Sequence, residues 1–189
     1  MLAQMIPELR RLPSREEEAA LVREAQREPE RFGRIFDLYF DAIHRFAVFH
    51  LRADSESAAD IAQETFLRAF RALPSYRITE FPFSAWLYRI ALNLLRNHAT
   101  RRRPTVDLEQ AIDRPGADVV EDRRWIRVFE LAHDLPATQR EVLSLRLGQG
   151  LTNEETAEIL DRTVGSVKSL FVRALRTLEK RARESGAWM

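Results

Sequence analysis

The sequence contains no cysteine. That absence excludes disulfides, thiolate-held zinc and thiol-based sensing within the chain, and it fits a reducing cytoplasm. Glycine is scarce, with only six residues in 189. No glycine-rich phosphate loop and no nucleophile elbow is present, which leaves an enzymatic reading with little support. No apolar run approaches the roughly 18 residues that cross a bilayer. The opening "MLAQMIPELRRL" lacks the apolar stretch of a signal peptide. Strand-like alternation does not persist anywhere, and there is no internal repeat. The net charge is only +1, but it is unevenly distributed.

Helical spacing dominates what is present, which predicts an all-α fold. Ser14 with Glu17 has the form of a capping box and starts a helix. Phe32, Ile35, Phe36, Tyr39, Phe40, Ile43 and Phe46 recur at the spacing of one helix face. After "ADSES", Ser57 is expected to cap a third helix that turns Ile61, Phe66, Leu67 and Phe70 inward and ends at Pro74. A loop with two prolines leads to a long helix from about Pro82 to about Thr100. Residues 104–122 then change character, with six acids against one base and proline, glycine and little periodicity. They read as an acidic, flexible linker. Beyond it, helices are expected over 123–135, over "TQREVLSLRL" capped by Thr138 with Glu141, over "TNEETAEIL" capped by Thr152 with Glu155, and from near Thr163. The predicted organisation is two helical domains, 1–103 and 123–189, joined by the linker.

Three constellations bear on function. In "ETAEILDRTVGSVKSLFVRAL" a short helix, a corner of about three residues and a second helix form a helix-turn-helix. Burying Val164, Val167, Phe171, Leu175 and Leu178 leaves Ser166, Lys168, Ser169 and Arg173 outward, where a recognition helix reaches base edges. Residues 161–183 carry seven bases against two acids, a patch that attracts phosphate. The second constellation is one helix bearing Trp86, Tyr88, Arg89, Asn93, Arg96 and His98 and leading into three arginines. Aromatics beside arginines suit unpaired bases and their phosphates. In the third, Asp60 and Glu64 stand one turn apart with Gln63 beside them. No histidine follows at metal-site spacing, so the carboxylates read as a protein-facing patch or a plain solvent face. No cofactor or metal is expected.

Taken in order, "AADIAQETFLRAFRAL", "FSAWLYRIALN" and "LPATQREVLSLRLGQGLTNEETAEILDRTVGSVKSLFVRAL" resemble the extracytoplasmic-function (group IV) sigma factors of bacterial RNA polymerase. The resemblance implies that 1–103 is a region 2 domain and 123–189 a region 4 domain. It implies a non-enzymatic, cytoplasmic initiation factor. Its partners would be core RNA polymerase, promoter DNA and an anti-sigma factor. Asp60, Gln63, Glu64 and Phe66 would dock on the clamp helices of the largest subunit. The loop at 74–83 would capture an everted −10 base, assigning Ser75, Tyr76, Arg77 and Phe83 to that element with Trp86, Arg89, Asn93 and Arg96. Thr163, Ser166, Lys168, Ser169 and Arg173 would read the −35 element. Two residues depart from the family pattern: Thr156 replaces an apolar core residue, and Leu170 stands where an arginine is common. The alternative at this stage is a stand-alone helix-turn-helix regulator with an N-terminal effector or dimerisation domain.

Overall fold

The computed structural model describes residues 13–52, 54–101 and 131–184, which divide into two compact units, before and after the 102–130 segment. The expected linker, the arginine triplet beyond Arg101 and most of the 123–135 helix lie outside the described residues. The described residues are helical, with no strand among them.

The first unit holds α1 (Arg15–Arg27), α2 (Phe32–His50), α3 (Ser55–Ala72) and α4 (Phe83–Arg101). α2 packs on α3 and α4, α3 packs on α4, and α1 lies across α2 and α4. α1 starts with the expected capping box of Ser14 and Glu17. α3 does not start as expected. Asp54 is its N-cap, accepting from the Ser57 backbone N–H at 3.1 Å and from the Ser57 hydroxyl at 2.7 Å. The carboxylate outcompetes the hydroxyl because it can accept from both donors at once. Ile35, Tyr39, Ile43 and Phe46 of α2 are buried against Ala58, Ala62, Phe66 and Ala69 of α3 and Leu87, Ala91 and Leu92 of α4. The alanines have no exposure or nearly none, which lets the helix backbones approach closely. Leu67 and Phe70, expected inside, are each 42% exposed, and Phe36 is 36% exposed. α3 meets its neighbours through Ala58, Ala62, Phe66 and Ala69, and Phe70 still packs edge-to-face with Phe32 at 5.2 Å, so only part of its other apolar side faces solvent.

The second unit holds α5 (Ala137–Leu143), continued by a π-helical segment (Ser144–Gly148), then α6 (Asn153–Leu160) and α7 (Val164–Glu184). α7 packs on both α5 and α6. α6 has the expected capping box of Thr152 and Glu155. α5 has none, because Pro136 rather than Thr138 occupies the cap and Glu141 is drawn into the core. The buried line of α7 runs through Val167, Ala174, Leu178 and Ala182, with Val164, Phe171 and Leu175 only half-buried along its flanks. Phe171 instead lies under the Arg146 guanidinium, whose carbon is 5.4 Å from the ring centroid.

Thr156 is fully buried in α6, and its hydroxyl has no hydrogen-bond partner. An orphaned hydroxyl costs about 1–3 kcal/mol. Thr156→Val keeps the shape and removes the orphan, so it is expected to stabilise the chain by about 1 kcal/mol. A urea midpoint unchanged or lowered by the substitution would show that the hydroxyl is satisfied in solution.

Candidate nucleic-acid and polymerase interfaces

Between α3 and α4 the chain turns through a 3-10 segment, Leu73–Ser75, and a loop over residues 76–82. Both ends of this loop are held by α1. The Gln26 side-chain amide donates to the carbonyls of Leu73 at 3.0 Å and Tyr76 at 2.8 Å. At the other end the Glu18 carboxylate accepts from the backbone N–H of Phe83 at 2.8 Å and of Ser84 at 3.4 Å, and from the Tyr39 hydroxyl. A helix N-terminus presents unpaired N–H groups and partial positive charge, so a carboxylate there is stabilising. Here that carboxylate comes from another helix. Glu18 shares the buried face of α1 with Val22 and Ala25. That spacing of four and three residues was the sequence signal for an inward-facing glutamate, obscured by the neighbouring Glu16 and Glu17.

Burial holds the Tyr39 phenol protonated well above the usual range, helped by the adjacent Glu18 charge and by the hydrogen bond donated to Glu18. Burial raises Tyr76 as well, reinforced by Glu18 and opposed by Arg89.

Tyr76, Phe83 and Trp86 form a three-ring cluster, with centroids 5.2 Å (Tyr76–Phe83), 4.6 Å (Tyr76–Trp86) and 5.2 Å (Phe83–Trp86) apart. Phe83, expected at the −10 DNA, is buried at 3% exposure and supports the cluster from beneath. Trp86 and Tyr76 are half-buried, while Ser75, Arg77, Ile78, Thr79 and Glu80 are exposed. Trp86, half-buried Arg89, and exposed Asn93 and Arg96 follow one another along a single face of α4. Tyr88 belongs to the opposite face, edge-on to Phe46 at 5.2 Å in the core. A groove of about 200 Å³ runs between α1 and the loop, with Arg15, Ala19 and Arg23 on one side and Ile78, Thr79 and Phe81 on the other.

On α3, Asp60 and Gln63 are exposed, whereas Glu64 is paired with Arg68 at 2.6 Å. Phe66, expected to dock on the clamp helices, is buried in the core of the unit. It receives the edge of Phe36 at 4.9 Å. The exposed apolar residues Leu67 and Phe70 continue the line of Asp60 and Gln63 at helical spacing. They were missed as surface residues because apolar spacing alone does not say which side of a helix is covered.

In the second unit the corner between α6 and α7 is Asp161, Arg162 and Thr163. Asp161 takes the left-handed conformation at φ 52°, and its N–H and that of Arg162 both close onto the Ala157 carbonyl. Thr163 spends its hydroxyl capping α7, accepting from the Ser166 N–H at 3.2 Å. Lys168, Ser169, Arg173 and Arg176 are exposed, and Ser166 and Leu170 are half-buried. Lys168 and Arg173 have no ion-pair partner among the described residues. Arg181 differs, because it binds the Leu131 carbonyl and the Asp134 carboxylate and so ties the end of α7 to the fold.

Two family models match this architecture, Sigma-70 region 2 over residues 35–105 and Sigma-70, region 4 over residues 127–178. RNA polymerase sigma-H factor of Pseudomonas aeruginosa is 31% identical over 183 residues, covering 88% of this chain and 94% of that one. The chain belongs to the extracytoplasmic-function sigma factors of bacterial RNA polymerase. ECF RNA polymerase sigma factor BldN of Streptomyces coelicolor is 33% identical over 169 residues, covering 85% of this sigma factor, which spans 64% of BldN's length. The solved structure of CnrH in complex with the cytosolic domain of CnrY superposes with a TM-score of 0.69 at 26% identity, covering 88% of this chain and 97% of CnrH. RpoE of Bartonella quintana, solved with the anti-sigma factor NepR, shares the fold at a TM-score of 0.66 and 24% identity. The region 2 match occupies the place that a stand-alone regulator would give to an effector domain, so that alternative is not favoured. Among the described residues no helix is long and apolar enough to cross a membrane.

Proposed function

We propose that this sigma factor divides its contacts with polymerase and promoter among three surfaces. The α3 line of Asp60, Gln63, Leu67 and Phe70 docks on the clamp helices of core polymerase, with the acidic end giving orientation and the apolar end most of the affinity. The loop 76–82 and the face of Trp86, Arg89, Asn93 and Arg96 take the −10 strand as it unpairs. The start of α7 reads the −35 duplex through Ser166, Ser169 and Arg173, with Lys168 on the phosphate backbone and Thr163 fixing where that helix begins. The observation that carries this reading is the aromatic and basic face of α4 standing beside a loop anchored at both ends. Such a face matches unstacked bases and has no role in a duplex-only reader. Each unstacked base that finds an aromatic partner returns about 1–3 kcal/mol, which is comparable with the ~1.4 kcal/mol of stacking lost per opened step.

By likeness to CnrH with CnrY, this chain is also proposed to take an anti-sigma partner. A non-enzymatic role and a cytoplasmic location follow from the same reading.

The founding test is reconstitution of the full chain with core polymerase and transcription from a promoter library. Absence of core binding would end the proposal. Within that assay Asp60→Arg and Leu67→Ser are each expected to weaken core binding by about tenfold, with circular dichroism unchanged because both side chains face solvent. Trp86→Ala is expected to lower open-complex formation by about tenfold while leaving initial promoter binding intact. A pre-melted −10 template should restore part of the loss, and failure to restore any of it would remove Trp86 from the melting step.

A further inference from the structure

We propose that α1 is the positioning element of the −10 reading loop, and that Glu18 and Gln26 set the shape in which residues 76–82 receive a base without touching DNA. This inference rests on the reading of that loop given above. The two side chains stand eight residues apart on α1, which places them about 12 Å apart along the helix axis. Gln26 holds the loop's entry through two carbonyls, and Glu18 holds its exit through two N–H groups. These contacts span 47, 50, 65 and 66 positions of sequence, so they are tertiary restraints rather than local turn chemistry. Between the two grips Arg77, Ile78, Thr79 and Glu80 are exposed, with Thr79 Oγ1 accepting from the Phe81 N–H at 3.2 Å.

Gln26 suits this position chemically. Its amide nitrogen carries two donors, and both face carbonyl oxygens, a pairing that an apolar side chain such as Leu cannot make. Gln26 and Tyr76 are half-buried and both hydrogen bonds are part-buried, although Leu73 itself is buried, so water can reach the freed Tyr76 carbonyl when the amide is removed. Loss of the grip therefore disturbs the loop's shape more than the stability of the unit. A loop of unfixed shape still meets DNA but distinguishes bases less well, because ordering it consumes the affinity difference between right and wrong bases.

The experiment uses holoenzyme reconstituted with the full chain, on templates whose −10 region is a mismatched bubble carrying each of the four bases in turn on the non-template strand. The measured quantity is the ratio of affinities between best and worst base. Gln26→Leu is expected to compress that ratio by about tenfold, with core binding and −35 duplex binding within about twofold of the parent. Gln26→Lys, which can donate to both carbonyls, is expected to recover most of the ratio. A control carrying alanine at Arg77, Ile78 and Thr79 tests the loop itself. If the control loses the ratio and Gln26→Leu keeps it, α1 has no positioning role and the loop still reads. A control that keeps the ratio overturns the reading of the loop, and the inference with it. Equal weakening on all four bases by Gln26→Leu would make Gln26 an ordinary structural residue.

Discussion

Replacing Glu18 by alanine should cost the full-length protein about 3–5 kcal/mol of stability. Glu18 is only 5% exposed, and its carboxylate is the acceptor for the Tyr39 hydroxyl and the Phe83 and Ser84 N–H groups. Alanine leaves three buried donors without that acceptor and opens a space beneath the start of α4. Glu18→Gln should cost less, because its amide oxygen can still accept, although its NH2 would then face one of the donors. Tyr39→Phe should cost about 1 kcal/mol, since it removes one donor and leaves the backbone pair in place. Urea denaturation of the three variants, followed by far-UV circular dichroism, gives the order directly. A Glu18→Ala midpoint close to that of Tyr39→Phe would mean that the carboxylate does not cap α4 in solution.

Arg173→Ala is expected to relax base preference at one or two −35 positions, by about 1–3 kcal/mol or roughly 5- to 150-fold. Arg173 lies on α7 one turn beyond Ser169, exposed and opposite the buried line of Val167 and Ala174. A guanidinium so placed can form two parallel hydrogen bonds to guanine O6 and N7. Lys168, earlier on the helix, is a compact charge suited to phosphate. Lys168→Ala should therefore weaken all sequences alike and shallow the salt dependence of binding by about one unit of slope. Selection from a randomised −35 library with holoenzyme at fixed salt separates the two residues. Base preference unchanged by Arg173→Ala would leave α7 an electrostatic surface rather than a reading one.

The features legible in the sequence were those whose partners lie within one helical turn. The boxes of Ser14 with Glu17 and Thr152 with Glu155 form because donor and acceptor are three residues apart and nothing else competes. Thr138 and Glu141 have the same spacing, but Pro136 takes the cap position and Glu141 goes to the core instead. Lys168, Ser169 and Arg173 are exposed as expected, because the line of Val167, Ala174 and Leu178 is buried where α7 packs on α5 and α6. Leu67 and Phe70 were not, since their spacing matches a buried stripe equally well and only the presence of a neighbouring helix decides. Phe66 and Phe83 show the limit of reading by motif: each stands within a stretch expected to make contacts, yet its side chain is buried in the fold. The contacts of Glu18 and Gln26 are not legible in the sequence because their partners lie 21 to 66 positions further along the chain.

That separation also fixes an order of events as the chain is made. α1 leaves the ribosome first, but its carboxylate has no helix end to cap until residues 83 and 84 have followed. The amide protons of Phe83 and Ser84 stand in the first turn of α4, where the helix itself offers no acceptor, and are held by the carboxylate of α1. Their exchange with deuterated water should therefore keep pace with opening at Val22 rather than with fraying of α4's far end near Thr100. The earliest and latest segments of this unit would then behave as one kinetic unit, and two amides beside the 76–82 loop would report the release of a helix some sixty residues upstream.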